Sequence, residues 1–266
     1  MTFSTFARRA GALPPLALVI FLAACPPTSP GPCSRPPQQT LVFYDQSASS
    51  VVDPRTEALF RDTLEAVATS ALQCPGDAVH GFPLHGNTRG KVDRVDLLDT
   101  IQSADPTGKT KVAAALAKTQ YEQKIASLHE EASRQLLALG SSLVAPGDKR
   151  HTDMLGSLEV LSDELKGDSA SSARVYYLSD MRESMPAPGR DFDAHPPSTR
   201  AEAENWATAD VARVMEMSVD TTRFKNVHVR VLLGNLAAKP HGPEIRAYWE
   251  RLFAKVGFRS ENLEYN

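Results

Sequence analysis

Five short runs of apolar, β-forming residues alternate with longer segments of helical period, and this alternation constrains the fold more than any other feature of the chain. "TLVFYD" (40–45) is a continuous apolar run, as expected of a strand buried on both faces of a parallel sheet, and "ARVYYLSD" (173–180) is another apolar strand that stops at an aspartate. "AVHGFPLHG" (78–86) reads as a second strand, weakened by Gly81 and Pro83. "KVDRVDLLDTI" (91–101) alternates like a more exposed third, and "NVHVRVLLGNL" (226–236) makes a fifth. Helical spacing predicts helices over 55–73, 111–139, 153–165, 200–217 and 242–258. In the long second helix Leu116, Ile125, Leu128, Ala132, Leu136 and Leu139 fall on one side, and in the last helix Tyr248 and Trp249 are expected to pack on the sheet. The expected fold is α/β, a mostly parallel central sheet with helices on both faces.

Sheets of this kind place their ligands outside the carboxyl ends of the strands, near the point where strand order reverses. Three segments converge on that rim: Asp45-x-Ser47-x-Ser49 after the first strand, Thr152 at a helix start, and Asp180 after the fourth strand. All offer hard oxygen donors, which suit Mg2+ or Mn2+ with several waters retained. The same residue types have simpler uses. Ser and Asp cap helix N-termini, Thr152 could be such a cap with Asp153 complementing the helix dipole, and Asp180 could merely close a strand.

"LVFYDQSAS", "HTDMLGSLE" and "VYYLSDM", in that order, resemble the three metal-site segments of von Willebrand factor A domains. The resemblance runs from about Leu41 to Phe258. It implies a Rossmann-like three-layer sandwich with a metal-ion-dependent adhesion site. Ser47 and Ser49 would then coordinate the cation directly, Thr152 would join them in the ligand-binding form, and Asp45 and Asp180 would act mainly through waters. An acidic residue of a protein partner would take the open position, which is binding rather than turnover. Met181 stands where that family commonly has glycine. The tail "RSENLEYN" leaves little room for a last strand and helix, so the domain is expected to be truncated at its C-terminus.

Residues 1–24 have a basic start (Arg8, Arg9), a short apolar stretch and small residues, the layout of a secretory signal. "LAAC", ending at Cys25, resembles the lipobox of bacterial lipoproteins, which implies acyl chains on Cys25 and a membrane-anchored envelope protein. Pro26 after the cysteine points to the outer rather than the inner membrane by that family's sorting rule. Residues 25–39, rich in Pro and Ser, read as a tether, and 40–266 as the domain. Cys33 and Cys74 fall at the same end of a strand–helix unit, so a disulfide between them is geometrically reasonable; two free thiols are the alternative.

With 42% hydrophobic and 23% charged residues, the 266-residue chain has material for one core. Its net charge is −3, and loss of Arg8 and Arg9 would make it two charges more acidic. The basic residues are scattered, which argues against a nucleic-acid partner. "SADPTGKT" resembles the end of a phosphate-binding loop but has Ser103 where the first glycine belongs. No H-x-x-x-H pair or G-x-S-x-G motif is present, so zinc and serine hydrolase chemistry lack a basis. Three readings remain: a cation-dependent binding module, a metal-dependent envelope hydrolase acting on a phosphate or ester, and a metal-free structural lipoprotein.

Overall fold

The computed structural model describes residues 35–47, 54–90, 94–101, 108–141, 150–167, 172–185, 190–232 and 239–266. Each predicted apolar run forms a strand: β1 (Gln39–Asp45), β2 (Ala78–Leu84), β3 (Val95–Leu98), β4 (Ala173–Leu178) and β5 (Val227–Leu232). The helices are α1 (Pro54–Ala71), α2 (Lys111–Ala138), α3 (Met154–Glu164), α4 (Arg200–Glu216) and α5 (Gly242–Lys255).

The tail does more than expected. Its short segment β6 (Leu263–Tyr265) adds a sixth strand, parallel to β5 and paired through Val229–Leu263, Arg230–Glu264 and Val231–Tyr265. Three residues suffice because Leu263 and Tyr265 both turn to the core side, and Arg246 lies over the Tyr265 ring at 4.8 Å. The sheet order is β3-β2-β1-β4-β5-β6, parallel throughout except for the antiparallel β2–β3 pair. The protein is thus an α/β fold around a six-stranded, mostly parallel sheet.

Alternate residues of each strand feed two cores. Leu41, Phe43, Val175, Tyr177, Val229 and Val231 face one side, with α3, α4 and α5 packed against them. Val42, Tyr44 and Val79 face the other, under α1 and the end of α2. Phe43 stacks between Phe82 and Tyr177, at centroid distances of 5.3 and 4.9 Å, and so ties the three central strands just below the rim. Tyr248 and Trp249 are buried against the sheet as expected.

The apolar side of the long helix is buried only toward its C-terminal end. Ala132, Leu136 and the following Leu139 are buried, whereas Leu116 is 58% exposed. At 28 residues α2 is about 42 Å long, against about 23 Å for the seven-residue β1, so its N-terminal half overruns the sheet. The sheet is also uneven. On the α1–α2 side Arg174, His228, Arg230 and Glu264 are exposed and, with Tyr176, help line a groove of about 410 Å3.

At the amino end of β1 the chain is fastened by Asp77. Its carboxylate accepts from the Arg35 guanidinium at 2.8 and 2.6 Å and from the backbone N–H groups of Gln38, Gln73 and Cys74. Residues 35–39, expected in the tether, are therefore attached to the domain. Cys74 beside them is disulfide-bonded, while Cys33, its expected partner, lies outside the described residues. Burial alone would raise the Asp77 carboxyl, but Arg35 and the three N–H groups outweigh it and hold the group below its ordinary value. Asp77→Ala is expected to cost about 3 kcal/mol, because it strands three backbone donors, and Arg35→Ala distinctly less, since water reaches that side chain. Urea denaturation midpoints of the two variants check the order.

Candidate functional site

Strand β1 is the switch point of the sheet: the chain moves from it to β2 on one side and later to β4 on the other. The crevice between the carboxyl ends of β1 and β4 is where such sheets bind ligands. Asp45 is the last residue of β1, and Asp180 lies two residues past the end of β4. The structure therefore brings these two carboxylates to one crevice, 0% and 2% exposed.

Asp45 is held on both oxygens. The Ser47 N–H donates to Oδ1 at 2.8 Å, and the Ser179 hydroxyl donates to Oδ2 at 2.5 Å. The same Ser179 oxygen accepts from the Met181 N–H at 2.8 Å and lies 3.7 Å from the Met154 sulfur. One hydroxyl thus joins the ends of β1 and β4 and the start of α3. Ser179 was not among the candidates read from the sequence, although its place directly before Asp180 made it available. Ser47 is buried on the same rim, and Ser49 lies outside the described residues.

Thr152 reaches the rim by backbone pairing. Its N–H donates to the Ser184 hydroxyl at 2.7 Å, and its carbonyl accepts from the Ser184 N–H at 3.1 Å. The next N–H, of Asp153, donates to the His85 carbonyl past β2, while the Gln46 N–H donates to the Leu84 carbonyl. These bonds lace the ends of β1, β2 and β4 to the start of α3. The capping alternative for Thr152 does not hold: the N-cap of α3 is Asp153, whose Oδ1 accepts from the Gly156 N–H at 2.8 Å. Thr110, from the phosphate-loop-like stretch, is likewise an ordinary cap, on α2.

A cation already stands at the second carboxylate. Lys239, between β5 and α5, places Nζ 2.8 Å from Asp180 Oδ2. Arg182 is farther, with Nε at 3.9 Å from the same oxygen, and its guanidinium also donates to the carbonyls of Phe192 and Pro240. Lys239 had no signal in the sequence, because 59 residues separate it from Asp180. Met181, buried in the loop between them, takes φ +59°, the left-handed region where glycine is at ease. The Trp249 indole N–H donates to its carbonyl at 2.6 Å and holds it there. Behind the rim, Glu183 is also fully buried and accepts from the Leu155 N–H at 3.0 Å. Burial, with Asp153 nearby, pushes its carboxyl well up.

The donor set fits a hard cation. Two buried carboxylates and the hydroxyl residues Ser47 and Thr152 share the rim, and an ion between the acids would relieve their mutual repulsion. A second cluster, His80, Asp96 and Glu164, could also hold a metal by residue type. There, however, His80 Nδ1 is 2.8 Å from Asp96, and Arg94 reaches both acids, at 2.6 Å and 3.4 Å, so the network is complete without an ion.

No family model matches the chain, and no curated protein matches it. Solved structures do match. The chain is similar to proximal thread matrix protein 1 from the mussel byssus at 12% identity and TM-score 0.39, with 86% of this chain and 43% of that one covered. It is also similar to the pilus adhesin SpaC from Lactobacillus rhamnosus GG at 14% identity and TM-score 0.43, with 88% and 28% covered. The chain therefore spans less than half the length of either protein.

Burial, and then the neighbouring Asp180 charge, push the Asp45 carboxyl up to about 7, against the hydrogen bonds from Ser179 and Ser47. An unfolded aspartate releases its proton near pH 3.9, so between about 3.9 and about 7 the folded chain holds a proton that the unfolded chain has lost. Stability then falls as pH rises across that window. In chelator-treated protein the melting temperature is expected to drop as pH rises through it, and Asp45→Asn to flatten the slope; equal slopes would contradict the assignment.

Proposed function

We propose that the protein is a lipid-anchored binding module of the bacterial cell envelope, built as a von Willebrand factor A-like domain, that uses Mg2+ or Mn2+ to hold an acidic residue of a protein partner. The observation that carries this reading is the buried pair Asp45 and Asp180 at the switch-point crevice, with Ser47 and Thr152 on the same rim. Carboxylates withdrawn from water in one crevice repel each other, and a divalent ion is the simplest species that satisfies both.

In this reading Ser47, Ser49 and Thr152 offer hydroxyls to the ion, and Asp45 and Asp180 supply negative charge and fix its waters. The bound ion would act as an electrophile with a position left for a carboxylate. Ser179 orients Asp45, and the Thr152–Ser184 bonds set the height of Thr152 above the sheet. The lipobox at Cys25 supports the anchor, since acyl chains would hold the protein at a surface. Among the described residues no helix is long and apolar enough to cross a membrane. Chain entry at Gln39 and the rim at Asp45 are opposite ends of β1.

One observation favours the hydrolase reading: a carboxyl near 7 is suited to general-base work. Asp45 is nevertheless wholly buried with both oxygens engaged by Ser47 and Ser179, so its charge is committed to the rim rather than offered to a substrate. Binding remains the better account. Isothermal titration of the mature chain with MgCl2 and MnCl2 tests it. Saturable binding is expected, lost in the Asp45→Ala, Ser47→Ala double variant and stronger as pH rises toward 7, because the ion displaces the Asp45 proton. No binding by the wild type, or equal binding by the variant, would remove the metal from the proposal. Metal-dependent turnover of phosphate or ester substrates, lost in Asp180→Ala, would favour the hydrolase.

A further inference from the structure

We propose that Lys239 is a built-in counter-cation of the crevice: its ammonium competes with the divalent ion for Asp180, so loading exchanges one cation for the other. This rests on the metal-site reading above and adds how the site is regulated.

Asp180 is almost fully buried, and such a carboxylate needs a positive partner close by. Lys239 provides it at 2.8 Å, whereas the Arg182 Nε stands at 3.9 Å with its guanidinium shared among two carbonyls and the Asp193 carboxylate. Nor is the lysine there by chance of rotamer alone. The Arg182 Nη2 donates to the carbonyl of Pro240 at 2.7 Å, which pins the backbone next to Lys239 beside the loop that carries Asp180. The Lys239 side chain is 24% exposed, so its head has a route to water.

A divalent ion drawn to Asp45 and Asp180 meets this ammonium at the same carboxylate. Two cations within a few ångströms of one another in a poorly solvated crevice repel strongly, so they do not share Oδ2 comfortably. Lysine is suited to exchange, being a point charge on a flexible stem, whereas a guanidinium would grip the carboxylate in a fork. With little divalent ion present, Lys239 offsets the charge of Asp180 from within. At higher concentration the ion replaces the ammonium, which sets a threshold for loading and hence for partner capture.

Titration of the mature chain with MnCl2, wild type against Lys239→Met, tests the exchange, with melting temperatures in chelator and in excess MnCl2 as a second readout. The variant is expected to bind Mn2+ about tenfold more tightly, because the competing charge is gone. In chelator it should melt lower than wild type, since Asp180 has lost its nearest counter-charge, and its gain on adding MnCl2 should be the larger. Lys239→Gln, which keeps a hydrogen-bond donor, should show the same direction and serves if the methionine variant does not fold. Saturable wild-type binding with unchanged affinity in the neutral variants would overturn the competition and leave the metal site standing. Absence of binding in wild type and variants alike would overturn both.

Discussion

The carboxylate of Asp45 is the constraint around which the upper half of the domain is arranged. It is withdrawn entirely from water at the end of the central strand, where an uncompensated charge would be strongly destabilising. Compensation comes from the Ser47 N–H and the Ser179 hydroxyl, one from each side of the switch point. Because Ser179 also bonds the Met181 N–H, the same hydroxyl fixes where the chain turns after β4, and so where Asp180 stands. Met181 accepts an unfavourable left-handed backbone as part of that turn, held by the Trp249 indole.

The two ends of the parallel sheet show how one residue type takes opposite roles. At the amino end Asp77 gathers Arg35 and three backbone N–H groups, and its carboxyl is held low. At the carboxyl end Asp45 has only neutral donors and faces another carboxylate, and its carboxyl is pushed up. The first arrangement is closed: every oxygen is met by donors and the result is a fastening. The second carries an excess of negative charge that its direct partners do not cancel. Asp210 follows the first pattern, with Arg190, Arg213 and the Tyr248 hydroxyl around it. Not every buried aspartate of this fold is left unbalanced in the way Asp45 is.

Much of this was legible in the sequence, for identifiable reasons. The continuous apolar run of β1 marks a strand buried on both faces. β4 and β5 stood out as apolar runs although Arg174, His228 and Arg230 leave one of their faces partly exposed, and an acid closing such a run locates the rim. What the sequence could not carry were relations between distant segments. Lys239 and Asp180 share no local pattern. The apolar side of α2 runs the length of the helix in the sequence, but periodicity does not report where a helix runs past the end of its sheet, as it does at Leu116. β6 was missed because three residues give too short an alternation to read, and its pairing depends on β5 offering an unfilled edge. Ser179 carries no signal of its own, because "VYYLSD" reads as strand up to the aspartate.

Capping explains part of the rim and fails at an instructive point. Asp153 is a cap by geometry, as are Thr110 on α2 and Thr199 on α4, each accepting from a backbone N–H three residues on. Those bonds account fully for having oxygen side chains there. They do not account for Thr152, whose backbone is committed to Ser184, nor for Asp45 and Asp180, which sit at strand ends and cap no helix. A structural role alone would favour replacing two buried carboxylates with apolar or amide side chains, which fill the same space without repulsion. Retaining both, and setting a lysine against one of them, makes physical sense if the crevice exchanges charge with something outside the protein. Under the proposed function, a mobile cation, followed by an acidic group that completes its shell, would be the ligand that such a crevice accepts and releases.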